Sequence, residues 1–141
     1  MYKIEDIILF INKEISPSIK VHADTDLEED IRITGDDISD FLEKYSLEFN
    51  VNMKNYLWYF HQHEEAYRGI GGLLFKTPKD RVKHIGITPK ILLESANEGY
   101  WNVNYPDHKL PKFRYDVITN CIIAIVTVIF LGIIIYKKYC M

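Results

Sequence analysis

The sequence predicts an all-α protein in two parts, a small helical bundle followed by one C-terminal transmembrane helix. Three observations carry this. Val117 to Tyr136 is an uncharged run of 20 residues, VITNCIIAIVTVIFLGIIIY. At about 1.5 Å per residue it spans the roughly 30 Å hydrocarbon core of a bilayer, with its backbone amides paired inside the helix. Before it, apolar residues recur at helical spacing, and helix-start signals punctuate the chain. Reading the span as a buried core helix fails, because Thr119, Asn120, Cys121 and Thr127 are too scattered to form a polar face.

Ile4, Ile7, Ile8, Ile11 and Ile15 define one face, so a first helix should run from about Lys3 to Ile15 and stop at Ser16-Pro17. A loop follows, then a short turn opened by Thr25 with Glu28 three residues on. Thr34 is the expected N-cap of the second helix. Asp37 stands three residues later, Ile33 and Ile38 occupy the staple positions, and Asp36 and Asp37 place negative charge where the helix dipole favours it. Ile38, Phe41, Leu42, Tyr45 and Phe49 make its apolar stripe, leaving Asp37, Asp40, Glu43 and Lys44 to solvent.

Met53, Tyr56, Leu57 and Phe60 permit a third helix reaching about Glu65, although YLWYF suits a strand as well. Gly69, Gly71 and Gly72 then break the pattern. GIGG reads as a turn, since it lacks the lysine and hydroxyl of a P-loop and the full dinucleotide fingerprint. Thr77-Pro78 and Thr88-Pro89 each place an N-cap before a first-turn proline, and the second gains an Ile87 to Leu92 staple before ending near Gly99. Pro106 and Pro111 predict a semi-extended connector. The expected organisation is a helical domain over residues 1–99, a juxtamembrane connector over 100–116, the span over 117–136 and a tail over 137–141.

The N-terminus, MYKIEDIILFINKE, carries Glu5 and Asp6 before a short apolar patch and has no small-residue cleavage site, unlike a signal peptide. Basic residues flank both ends of the span, Lys109, Lys112 and Arg114 before it and Lys137 and Lys138 after it, so charge bias discriminates weakly. The N-terminal part is therefore expected in the cytoplasm. Tyr105, Tyr115, Tyr136 and Tyr139 fit an interfacial aromatic belt, and the three preceding basic residues suit anionic headgroups. Met1 to Met53 holds 5 basic and 13 acidic residues, and Lys54 to Tyr115 holds 10 basic and 6 acidic. Nucleic acid is not an expected partner of so acidic a first half. Cys121 lies in the span and Cys140 is next to last, so neither suits a disulfide framework or a catalytic thiol.

DTDLEEDIRITGDDISDFLEKYSLEFNV resembles the loop and second helix of acyl carrier proteins, through Asp30, Ile31, Asp37, Phe41, Glu48 and Phe49. GDD with its following helix, WYFHQHE and ITPKILLESANEGYW resemble a bacterial family called domain of unknown function 1493. That resemblance implies an acyl-carrier-like helical bundle and no established activity. The phosphopantetheine serine of carrier proteins falls on Gly35, with Thr34 and Asp36 beside it, so no cofactor is expected there. Ser39 stands one turn further in, as a half-buried helix serine rather than a substitute attachment site. What carriers would retain without the serine is an acidic docking face, here Asp36, Asp37, Asp40 and Glu43, with a merely solvated helix face as the alternative.

In HQHEE, His61 and Glu65 stand at i and i+4 on a helix, close enough to share a metal, with His63 a weak candidate beside them; a third ligand at proper spacing is missing unless the fold delivers His84 or His108. A solvated polar helix end is the expectation, with no metal. No residue set suggests nucleophilic catalysis. The sequence thus predicts a non-enzymatic carrier-like module, anchored in the bacterial inner membrane and binding a protein partner of basic surface. The alternatives are a carrier with an atypical attachment residue, a small membrane immunity or antitoxin protein, and a metal hydrolase.

Overall fold

The computed structural model describes residues 1–63 and 69–140. Among them are six helices and no strand: α1 (Ile4–Glu14), α2 (Gly35–Glu48), α3 (Trp58–His61), α4 (Gly69–Leu74), α5 (Pro89–Glu98) and α6 (Tyr115–Cys140), with a 3₁₀ turn at Lys79–Arg81. The chain forms two compact units, Met1–Glu65 with Val82–His108, and Ala66–Arg81 with Lys109–Met141.

In the first unit, α1 begins where the Asp6 carboxylate accepts the Lys3 amide at 2.8 Å, and it buries Ile7, Phe10 and Ile11. It packs on α5, and the Tyr2 amide donates to Asn97 Oδ1 at 2.7 Å. The stripe of α2 is buried as expected. Phe10, Phe41, Tyr45 and Phe49 form an aromatic cluster with ring centroids 5.3 to 5.4 Å apart in three of its pairs. Each such side chain contributes about 1.5–3 kcal/mol by leaving water. The Tyr45 hydroxyl donates to the Leu92 carbonyl, joining α2 to α5.

The cap at α2 differs from expectation. Thr34 occupies the N-cap position in extended conformation, but its side chain makes no capping hydrogen bond. Gly35, the first residue of the helix, has φ 55, outside the right-handed geometry that lets an N-cap hydroxyl reach the next amides. At α5 the expectation is met. Thr88 Oγ1 accepts the Ile91 amide, Pro89 opens the helix, and Gly99 closes it at φ 77.

The turn before α2 opens one residue later than expected. Asp26 Oδ1 accepts the amides of Glu28 and Glu29, whereas Thr25 Oγ1 accepts that of His22. The third helix is shortened to one turn, because Asn52 forms an isolated parallel bridge with Tyr100, its amide donating to the Gly99 carbonyl and its carbonyl accepting from the Trp101 amide. Trp101 is 1 % exposed, so the chain after α5 closes the core.

In the second unit α4 packs on α6. GIGG is therefore helical rather than a turn. A Cβ on Gly71 would stand 2.0 Å from the Asp116 carbonyl oxygen, and the Gly71 amide donates to Asn120 Oδ1 at 2.8 Å. Only glycine permits that approach. Thr77 and Asp80 pair reciprocally around the 3₁₀ turn, Thr77 Oγ1 lying 2.7 Å from Asp80 Oδ2. Tyr115 to Lys138 is long and apolar enough to cross a membrane, and its apolar window is unburied in the protein. Thr127 donates its hydroxyl to the Ile123 carbonyl one turn back, so its polar group is paired within the helix.

Candidate functional site

Two places in the first unit gather chemistry. The first is the start of α2. The preceding turn ends with Arg32 at φ 65, where its amide returns to the Glu28 carbonyl and the Ile33 amide to that of Leu27. This closure normally takes glycine, and an arginine there costs about 1–2 kcal/mol. Arg32 lines a cleft of about 370 Å³. Ile15, Ile19, Ile31, Ile33 and Phe41 supply its apolar side; Glu14, Asp37, Asp40 and Lys44 add charge.

Asp36, Asp37, Asp40 and Glu43 are all exposed on α2. Asp37 and Asp40 line the cleft; Asp36 and Glu43 flank it in sequence. Lys44 Nζ lies 3.0 Å from Glu14 Oε2, and this hydrogen bond holds the Glu14 carboxyl below the ordinary carboxylate range while raising Lys44. Gly35 opens the helix without a side chain. Ser39 is exposed rather than half-buried, because its hydroxyl folds back to donate to the Gly35 carbonyl at 3.0 Å.

The second place corrects the reading of HQHEE. His61 is fully buried, not part of a solvated helix end, and both ring nitrogens are engaged, Nδ1 with the Ile85 carbonyl and Nε2 with the Tyr105 hydroxyl, each at 2.7 Å. The Tyr105 oxygen accepts the Leu57 amide and Trp101 Nε1, so its own proton points at His61 Nε2 and the imidazole carries its hydrogen on Nδ1. Burial raises the Tyr105 phenol. Its hydroxyl serves the core, not a membrane belt. Glu65 lies outside the described residues.

His63 instead faces Glu28, its Nδ1 at 3.0 Å from a carboxylate that is 3 % exposed. His84 joins them from the segment before α5. Its Nε2 lies 2.7 Å from Asp26 Oδ2 and 3.7 Å from Glu29 Oε1, and its Nδ1 lies 3.8 Å from Glu28 Oε2. The two imidazoles stack at 6.4 Å. Gly86 makes the approach possible, since a Cβ there would stand 2.3 Å from Asp26 Oδ2. The Leu27 amide donates to the Ile87 carbonyl at 3.0 Å, fixing the two segments to one another. Asp26 and Glu29 carry no metal-ligand spacing toward His84 in the sequence; tertiary folding alone brings them together.

The family described as "Protein of unknown function (DUF1493)" matches residues 4–104. No curated protein and no solved structure matches the chain.

Proposed function

The chain belongs to the DUF1493 family, and from the geometry of α2 we propose that it is a membrane-anchored, non-enzymatic, acyl-carrier-like module that docks a protein partner of basic surface. One observation carries the reading. Four acids are exposed along α2, whose opposite face is buried, and two of them line an apolar-sided cleft. The four acids, in excess over Arg32 and Lys44 beside them, supply association rate and register, and the recess supplies contact area. With Gly35 where carriers hold their serine, the docking face works without a prosthetic group.

The anchor is α6, placed in the bacterial inner membrane with the docking unit in the cytoplasm. Next to its start, α4 exposes Ile70, Leu73 and Leu74 while resting on Asp116 and Asn120. Those side chains suit the headgroup boundary, so α4 adds a second lipid contact. A carrier using Ser39 is the weaker reading, since that hydroxyl is occupied by its own helix.

The test is capture of partners by full-length protein extracted from membranes. Asp40→Lys with Glu43→Lys leaves the thermal midpoint unchanged, because exposed charges contribute little to stability, and reduces capture in a salt-dependent way. Recovery of the same partners at the same yield rejects the docking face.

A further inference from the structure

We propose that Asp26, Glu29 and His84 bind one divalent transition-metal ion of the zinc class. Their ligand atoms, two carboxylate oxygens and an imidazole nitrogen, all lie within 4.8 Å of one another. Ligands at about 2.0–2.1 Å from a tetrahedral zinc stand roughly 3.3 Å apart. The 2.7 Å contact between His84 Nε2 and Asp26 Oδ2 opens by a fraction of an ångström on binding, and the 3.7 Å contact with Glu29 closes by a similar amount. Glu29 is 60 % exposed and free to rotate into place. Three protein ligands leave a position for water.

The surroundings are built for this arrangement. Asp26 keeps one oxygen on the amides of Glu28 and Glu29, which aims the other at His84. Gly86 clears the space that oxygen occupies. Behind His84, the buried Glu28 carboxylate faces Nδ1 at 3.8 Å and also holds His63. The contact with His84 is longer than a hydrogen bond, so the acid adds negative potential behind the non-ligating nitrogen without fixing the ring. An imidazole in the set selects zinc-class ions over magnesium and calcium, which prefer oxygen alone. Bound metal would tie the turn at Asp26 to the segment at His84, 58 positions away in sequence, and so stabilise the first unit.

The test uses full-length protein in detergent, stripped with a chelator and titrated with Zn²⁺ against a chromogenic competitor. One equivalent binds, magnesium does not compete, and the thermal midpoint rises with zinc. Glu29→Gln and His84→Gln each weaken binding at least about tenfold, whereas His22→Gln and His108→Gln do not. Glu29→Gln keeps the test valid if His84→Gln misfolds. Failure to retain zinc, or equal affinity in wild type and Glu29→Gln, overturns the proposal and leaves an ion-paired cluster.

Discussion

α2 and α6 bury opposite things. In α2, Ile38, Phe41, Leu42 and Tyr45 are buried while Asp36, Asp37, Asp40 and Glu43 face out. In α6, the apolar residues from Val117 to Tyr136 are exposed except Ile123, which is half-buried, and among the described side chains the buried one is Asp116, held by Arg114. The hydrophobic effect acts on both. For α2 water is the exterior and apolar atoms retreat from it. On the proposed placement of α6 in a bilayer its exterior is lipid, where apolar atoms cost nothing and polar groups seek one another. The Gly71 amide, donating to Asn120 Oδ1, is a polar pairing of the kind that placement calls for.

Equal truncations should therefore have unequal effects. Phe41→Ala empties a core position that is 3 % exposed and costs about 3–5 kcal/mol. Phe130→Ala, at a residue 62 % exposed, should leave the unfolding of the first unit unchanged. Denaturant unfolding followed by tryptophan fluorescence, with Trp101 in the core, reads both. Comparable losses would erase the distinction between the two surroundings.

Tyr45 sharpens the buried side of the comparison. Tyr45→Phe removes the side-chain hydrogen bond to the Leu92 carbonyl, which keeps its helical donor, and should cost about 0.5–1.5 kcal/mol at neutral pH. Burial pushes the folded Tyr45 phenol up from its ordinary value. Its contribution is complete below the unfolded tyrosine pKa of about 10 and falls as pH rises beyond it, because the unfolded chain ionises first. Alkaline unfolding of Tyr45→Phe should accordingly depend less steeply on pH than that of the wild type. Parallel curves would mean that Tyr45 ionises as readily in the folded protein.

The smallest effect compares two threonines. Thr88→Ala removes a cap that accepts the Ile91 amide and should cost about 1 kcal/mol. Thr34→Ala should cost less, because that side chain makes no capping bond. Thermal midpoints of the two variants decide it, and a larger loss at Thr34 would contradict the geometry of Gly35.

These elements also show what the sequence could disclose. The stripe of α2, the Thr88-Pro89 start with Gly99 at its end, and the span of α6 are local patterns, and local patterns were legible. The helix expected from Met53 was cut short by a backbone bridge from Asn52 to the far end of α5, which no window around Met53 contains. GIGG suggested a turn because glycine disfavours helices; its packing against Asp116 and Asn120 repays that preference. The acids of α2 were legible as a face but not as part of a cleft, whose other side comes from Ile15, Ile19 and Ile31. HQHEE drew attention to His61, yet the converging set is Asp26, Glu29 and His84.

The contrast between α2 and α6 is tested most directly by alkaline carbonate extraction of membranes carrying the full chain, set beside the chain ending at Asp116. The full chain should stay in the membrane pellet, and the shortened chain should leave it after a salt wash, with its first unit folded. Release of the full chain by carbonate, or retention of the shortened chain after salt, would contradict the assignment of α6 to the bilayer.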